Sequence, residues 1–319
     1  MDFLLVKLSV PEYIKEEFIM VENKNVDSKE QKYQKTVLIT GAGSGFGRGI
    51  TFRLAKNPEI KVISTTQTYS QIFSLEQEAR KLNLKNIVFD KLDVTAPNDR
   101  LKASQWNVDV LLNNAGVAEG GSVLDIPPKA IYNNLETNVI GPIALTQLVA
   151  KKMVKNKRGR IIFMSSVAGL TVDPFSGAYS ASKHSIEAFA EALYKETRKY
   201  NIDVLTINPG PFLTGFNDRM FETYHNWVKP KEQNTFDYSK LDFPHKQYDP
   251  EIVIKAAVDI ILSDNPKYRN VLPKEIISDQ KKQLADIWNR KAKDDVGKEN
   301  SLVSEAYRLK KETPVDNSD

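Results

Sequence analysis

The 319-residue sequence contains no cysteine and only three histidines, His184, His225 and His245. The missing thiols exclude disulfides, thiolate zinc sites and cysteine nucleophiles, and they suit a reducing compartment, so a cytoplasmic location is expected. The histidines are scattered, with no HxxH or HxxxH pair and no carboxylate cluster at ligand spacing, so no metal is expected. Long apolar runs are absent as well. Phe3-Leu4-Leu5-Val6 is cut off by Lys7, far short of a signal peptide's apolar core or a membrane span. Excess charge of one sign is small: 45 basic against 41 acidic residues leave a net charge of +4. That excess is spread along the chain, so neither nucleic acid nor a membrane is expected as a partner.

What is present is ordinary globular composition, 41% hydrophobic and 27% charged, which excludes collagen, mucin and wholly disordered classes. Residues 1–34 read as an N-terminal arm or linker: a short amphipathic stretch, then a polar, Lys-rich segment. From Thr36 onward short apolar runs alternate with longer helical periods. The runs at 36–40, 61–66, 86–89, 108–113, 160–165, 202–207 and 270–273 are rich in Val, Ile or Leu and predict strands. Between them the spacing predicts helices over 46–56, 69–82, 128–156 (broken or continuous), 177–200 and 250–263. Repeated βα alternation of this kind predicts an α/β fold: one Rossmann-type, doubly wound domain over 35–273, with a mostly parallel seven-stranded sheet and helices on both faces.

Two regions break the rhythm. Residues 212–249 carry Phe212, Phe216, Met220, Phe221, Tyr224, Trp227, Phe236, Tyr238, Phe243 and Tyr248; a connection this long in a compact domain is usually a lid or binding element. Those side chains either wall an apolar substrate pocket or pack the segment onto the sheet. Residues 274–319 form a charged tail with helical patterns at 278–293 and 302–311.

The first chemical motif is Thr40-Gly41-Ala-Gly43-Ser44-Gly45-Phe46-Gly47-Arg48-Gly49, between an apolar strand and a helix. Glycines there let the backbone turn sharply and approach a pyrophosphate, which sits against unpaired N–H groups at the positive end of the helix. The second is Tyr179-Ser-Ala-Ser-Lys183, which puts a phenol and an ammonium on one helix face, where the cation is expected to lower the phenol pKa from its usual value near 10. Ser166 precedes Tyr179 by thirteen positions.

The spacing Thr40-Gly41-x-x-x-Gly45-x-Gly47 resembles the cofactor motif of the classical short-chain dehydrogenases/reductases, and further motifs of that family follow in order over residues 36 to about 273. Leu92-Asp93-Val94 is similar to the site where an Asp meets the adenine, and Asn113-Asn114-Ala115-Gly116 to the NNAG signature that lines the cofactor pocket. Pro209-Gly210, followed by Thr214, resembles the PGxxxT segment that holds the nicotinamide carboxamide. The resemblance implies an NAD(P)-dependent oxidoreductase that interconverts a carbonyl and an alcohol, with Asn138, Ser166, Tyr179 and Lys183 as its catalytic set. Tyr179 is then the proton donor in reduction and Ser166 a hydrogen-bond donor to the same oxygen. Lys183 contacts the nicotinamide ribose, and Asn138 positions a water next to it. The thirteen-residue spacing selects Ser166 over Ser165, whose expected role is to cap the strand end.

Cofactor choice in such folds is read after the second strand. Here Ser64-Thr65-Thr66-Gln67-Thr68 offers no carboxylate to bind a ribose diol, and its hydroxyls can receive a phosphate, so NADP(H) is favoured over NAD(H), with Thr66 and Gln67 as the contacts. No Arg stands there, Ser44 adds no charge, and Arg48 reads as a solvated first-turn residue. The remaining cofactor contacts implied are Ala115, Gly116, Val94 and the Tyr179–Lys183 pair. Residues 167–174 are expected to line the substrate pocket. The resemblance further implies a homodimer or homotetramer through the two long helices, where Ala181, Ser182, Ala188, Ala190 and Ala192 allow close packing. Two other readings compete: a nucleotide-binding redox sensor or scaffold without turnover, against which Ser166, Tyr179 and Lys183 are all present, and a sugar-nucleotide epimerase, against which no large C-terminal substrate domain follows Pro273.

Overall fold

The computed structural model describes residues 33–230 and 233–312; all but the last two residues of the expected arm, and the final stretch 313–319, lie outside them. Seven strands, β1 (Lys35–Ile39), β2 (Ile60–Thr66), β3 (Ile87–Lys91), β4 (Val110–Asn113), β5 (Gly159–Met164), β6 (Ile202–Pro209) and β7 (Arg269–Leu272), form one sheet. Its order is β3-β2-β1-β4-β5-β6-β7, and every neighbouring pair is parallel. The doubly wound sheet expected from the sequence is therefore present, wholly rather than mostly parallel.

Side chains alternate across the sheet, as the two-residue period of a strand requires. Val37, Ile39, Val110, Leu112, Ile162, Met164, Leu205 and Ile207 face one core, which α1 (Gly45–Leu54) and α8 (Glu251–Leu262) close with Ile50, Leu54, Val253, Ala257 and Ile261. Leu38, Leu111, Ile161, Phe163 and Val204 face the other, closed by α3 (Pro97–Ala103), α5 (Gly141–Asn156) and α6 (Gly177–Thr197). Leu145, Val149 and Met153 recur every fourth residue on α5, so one stripe of that helix lies on the sheet. Helix α2 (Tyr69–Lys81) buries only Leu75 and Ala79, against Phe52 and the β3 edge.

One helix goes beyond the sequence reading, and readings left open there are resolved. Helix α3 was not expected, because its seven residues, opened by Pro97, are too few to show a period. The long helix expected at 128–156 is broken: α4 (Pro128–Leu135) passes through a π-helical turn, Glu136–Ile140, before Gly141-Pro142 starts α5. Inside 212–249 lies α7 (Phe216–Glu222), and the tail supplies α9 (Ile277–Ile287) and α10 (Ser301–Glu312). Residues 212–249, Phe175 and α10 share a third, aromatic cluster that includes Tyr224, Tyr238, Leu241 and Ala306. Most aromatics of the segment thus pack with one another.

Arg160 on β5 joins the sheet to the end of α8. Its Nη1 donates to the carbonyls of Ile260, Ile261 and Ser263 at 2.9, 3.1 and 2.7 Å, and its Nε and Nη2 donate to Asp203. Those carbonyls are the acceptors a helix end leaves without partners. Replacing Arg160 with Ala should therefore destabilise the fold by about 2–3 kcal/mol in denaturant melts. Arg160→Lys should recover only part of this, because one ammonium cannot span both sets of acceptors. A near-neutral Arg160→Ala change would refute this role.

Candidate active site

The strand order reverses between β1 and β4, and at such a switch point the loops leave in opposite directions and open a crevice. Thr40, directly after β1, is buried, and its Oγ1 accepts the backbone N–H groups of Asn114 and Ala115, each at 3.0 Å. In return Asn114 Nδ2 donates to the carbonyls of Thr40 and Gly41 at 2.9 and 3.1 Å. Gly41 has φ +66°, and a Cβ there would lie 2.6 Å from Ala115 Cα. At Gly47 a Cβ would lie 2.5 Å from both the Gly41 carbonyl and Asn114 Nδ2. These two positions accept nothing larger than glycine.

Above this clasp runs an open cleft lined by Gly41, Gly43, Ser44, Gly45, Phe46, Gln67, Asp93, Val94, Asn114, Ala115, Gly116, Ser166, Tyr179, Lys183, Pro209, Gly210 and Thr214. Helix α1 points its N-terminus into it. Ser44 makes no side-chain cap and the first turn holds no acidic residue, so the first amides of α1 and its positive end are left for an anion. At the end of the cleft beyond β3, Asp93 accepts from Thr95 N, Thr95 Oγ1 and Gln67 Nε2 at 2.9, 2.7 and 3.3 Å. Burial pulls the Asp93 carboxyl up, but these hydrogen bonds and Lys91 outweigh it and hold it below the usual carboxylate range. A dinucleotide fits this set of donors and glycines.

At the other end Tyr179 and Lys183 lie one turn apart on α6, with Lys183 Nζ 5.6 Å from the centre of the Tyr179 ring. Lys183 Nζ donates to Met164 O at 2.9 Å, which fixes it under the strand end. Ser166 Oγ accepts from Ala168 N at 3.1 Å and donates to Pro209 O at 3.3 Å, and it lies near enough to the Tyr179 hydroxyl to favour its ionised form. Burial pushes the Tyr179 phenol up to about 12 although Ser166 opposes it, and pushes Lys183 down to about 8 although Glu187 opposes it. The expected lowering of the Tyr179 pKa by Lys183 is therefore corrected for the chain alone. Desolvation is the largest influence on both groups, and at neutral pH the pair stands as neutral phenol beside ammonium.

The model of the short chain dehydrogenase family matches residues 35–225, more than half of the chain. The chain belongs to that family. Over 192 residues it is 35% identical to dehydrogenase/reductase SDR family member 7B of Xenopus tropicalis, covering 57% of this chain and 62% of that protein. It is 30% identical over 249 residues to human retinol dehydrogenase 8, covering 74% and 80% of the two chains. Among solved structures, the closed form of serine dehydrogenase complexed with NADP+ superposes with a TM-score of 0.62 at 26% identity, over 74% of this chain and 94% of that one.

Within this short-chain dehydrogenase the cleft gathers most of the residues expected there and leaves four outside its lining. Thr40 and Gly47 shape the turn from behind. Thr66 is buried with its hydroxyl turned back to Thr68 O, so Gln67 is the side chain after β2 that reaches the cleft. Asn138, in the π-helical turn, commits its amide to Val117 N and O, both at 2.8 Å, and to Ser182 Oγ at 2.9 Å. Any water it holds must use its backbone carbonyl or the remaining Oδ1 lone pair. Ser165 does not cap the strand end: Ser166 caps the following turn, and Ser165 Oγ lies buried with no partner. Arg48 is exposed in the first turn of α1, as expected, and also pairs with Glu78 of α2. None of residues 167–174 lines the cleft, because that stretch turns away, with Asp173 paired to His245 at 2.9 Å. Gln71, Val117, Thr137, Met164, Phe212, Phe216, Asn217 and Arg219 line it without having been singled out as contacts. The last three sit on α7, which a seven-residue apolar pattern does not reveal.

The Thr40 clasp is testable. Thr40→Val keeps the shape and removes the acceptor of two amides, so stability should fall by about 2 kcal/mol. NADPH binding followed by nicotinamide fluorescence should weaken with it, and Thr40→Ser should restore both. Wild-type melting of the Val variant would contradict the clasp.

Proposed function

We propose that this chain is an NAD(P)-dependent oxidoreductase that interconverts a carbonyl and an alcohol, with Tyr179 as general acid/base. The observation that carries the reading is the gathering of Ser166, Tyr179 and Lys183 in the same cleft as the glycine turn, with Lys183 Nζ 5.6 Å from the centre of the Tyr179 ring. A nicotinamide held between the glycine turn, Asn114–Gly116, Pro209-Gly210 and Thr214 supplies the hydride in reduction and accepts it in oxidation. In reduction Tyr179 donates its proton to the carbonyl oxygen, and its raised pKa keeps that proton in place at neutral pH. Ser166 turns its hydroxyl from Pro209 O to the same oxygen, where charge develops. Lys183, anchored by one hydrogen to Met164 O, has two more for the ribose hydroxyls. Asn138 holds the 117 loop against α6.

The substrate enters beside a second cavity of about 600 Å3, which shares Gly116, Val117, Phe216 and Arg219 with the cleft and is otherwise walled by Ala118, Pro127, Ala130 and Trp227 among others. Its size suits a small-molecule carbonyl compound with an apolar body. We assign 212–249 the role of substrate lid within a catalytic domain of 35–273. A homodimer or homotetramer through α5 and α6 is supported by exposed Ala181, Ala188, Phe189 and Ala192, whereas Ser182 and Ala190 are buried in the chain's own core. Among the described residues no helix is long and apolar enough to cross a membrane; a cytoplasmic location is proposed.

NADP(H) is the favoured cofactor, because no carboxylate faces the cleft after β2 and Gln67 can donate to a phosphate there. Gln67→Asp should raise the NADPH Kd relative to that of NADH about tenfold or more, since a carboxylate repels the 2′-phosphate. An unchanged ratio would move the selectivity elsewhere. Tyr179→Phe should lower kcat by about 10²–10⁴-fold with the NADPH Kd nearly unchanged, as the ring and its packing remain. Undiminished turnover would remove Tyr179 from the proton transfer.

A further inference from the structure

Glu187 lies one helical turn beyond Lys183 on α6, outside the cleft lining, with its side chain 8% exposed. A buried carboxylate is costly unless both oxygens are matched, and here both are. Oε1 accepts from Asn208 Nδ2 at 2.6 Å and Oε2 from Arg269 Nη2 at 2.9 Å. The same Asn208 amide donates to the backbone carbonyl of Ser166 at 3.2 Å, and its Oδ1 accepts from Thr206 Oγ1 at 2.9 Å. A continuous polar chain thus runs from β7 through α6 and β6 to the residue at the end of β5.

Lys183 is also buried, at 5% exposure, and it donates a hydrogen bond to an uncharged carbonyl. The groups around it are the neutral phenol of Tyr179, the Met164 carbonyl, Gly116 beside Asn138, and Glu187. Glu187 in turn faces Asn208, the half-exposed Arg269 and the Tyr268 phenol, with Glu191 a further turn away near Arg269. Glu187 is therefore the carboxylate that acts on Lys183.

We infer that Glu187 is a positioning residue of this site: through Asn208 it fixes the Ser166 backbone, and through its charge it keeps the Lys183 side chain an ammonium. The inference rests on the reading of Tyr179 and Lys183 as the catalytic pair. Without Glu187, desolvation acts on Lys183 unopposed, and at neutral pH more of it is the free amine, which neither favours a phenolate nor binds ribose hydroxyls as strongly.

The test is the titration of Lys183 in the full chain, read from the Cε resonance of [ε-13C]lysine-labelled protein, with Lys183→Arg identifying the signal. The wild-type midpoint is expected near 8. Glu187→Gln should move it down by about one unit, the usual effect of losing a neighbouring opposite charge. Arg269→Gln, on a half-exposed residue, should move it up, because the carboxylate is then less neutralised. Shifts of opposite sign are not produced by a merely structural role. If Glu187→Gln does not fold, the Arg269→Gln shift alone decides. A midpoint that stands still, or moves down in Arg269→Gln, overturns the inference. The titration needs neither nucleotide nor substrate, so a chain that turned over no carbonyl compound would defeat the functional reading without touching this result.

Discussion

The contact between the ends of β1 and β4 is the constraint on which the site depends. The strand order reverses there, so the two chains separate, and something must hold them at a fixed distance while leaving a crevice above. Thr40 Oγ1 does this by taking two amides of the β4 loop, and Asn114 returns two hydrogen bonds to the β1 loop. Gly41 and Gly47 let the loops approach so closely that a Cβ on either would overlap backbone. The N-terminus of α1 and the Asn114–Gly116 stretch take their places from that junction.

The second determinant is burial beside charge. Lys183 is buried and Tyr179 half-buried beside the end of β5, and desolvation drives their pKa values apart, the phenol to about 12 and the ammonium to about 8. The phenol is thereby stored as an acid, and the ammonium depends on whatever anion is near. Glu187 is that anion, and its ties to Asn208 and Arg269 bind the electrostatics of the pair to the placement of Ser166.

Much of this was legible in the sequence because the sheet is parallel and buried on both faces. Such strands read as short Val, Ile and Leu runs, and the glycine turn, Asn114-Ala115-Gly116 and Tyr179-x-x-x-Lys183 sit at their ends in fixed order. What the sequence hid is of two kinds. Short helices such as α3 and α7 hold too few residues to display a period, so of the cleft residues on α7 only Phe216 was named, and Asn217 and Arg219 were not. Side-chain direction was the other: Thr66 and Gln67 are adjacent, yet only Gln67 reaches the cleft, because alternate strand residues point to opposite faces and Thr66 turns to Thr68. The aromatic segment had two readings, and packing decided for most of it. Phe221, Tyr224, Phe236 and Tyr238 gather with Phe175 and with Ala306 of α10, while Phe212 and Phe216 face the cleft.

The central claim is that this cleft binds a nicotinamide dinucleotide with its reactive end beside Tyr179. Parallel titration of the purified protein with NADPH and NADH, followed by nicotinamide fluorescence, tests it most directly. The account predicts saturable binding of one or both, tighter for NADPH. Binding of neither would contradict it and leave a short-chain dehydrogenase fold without its cofactor.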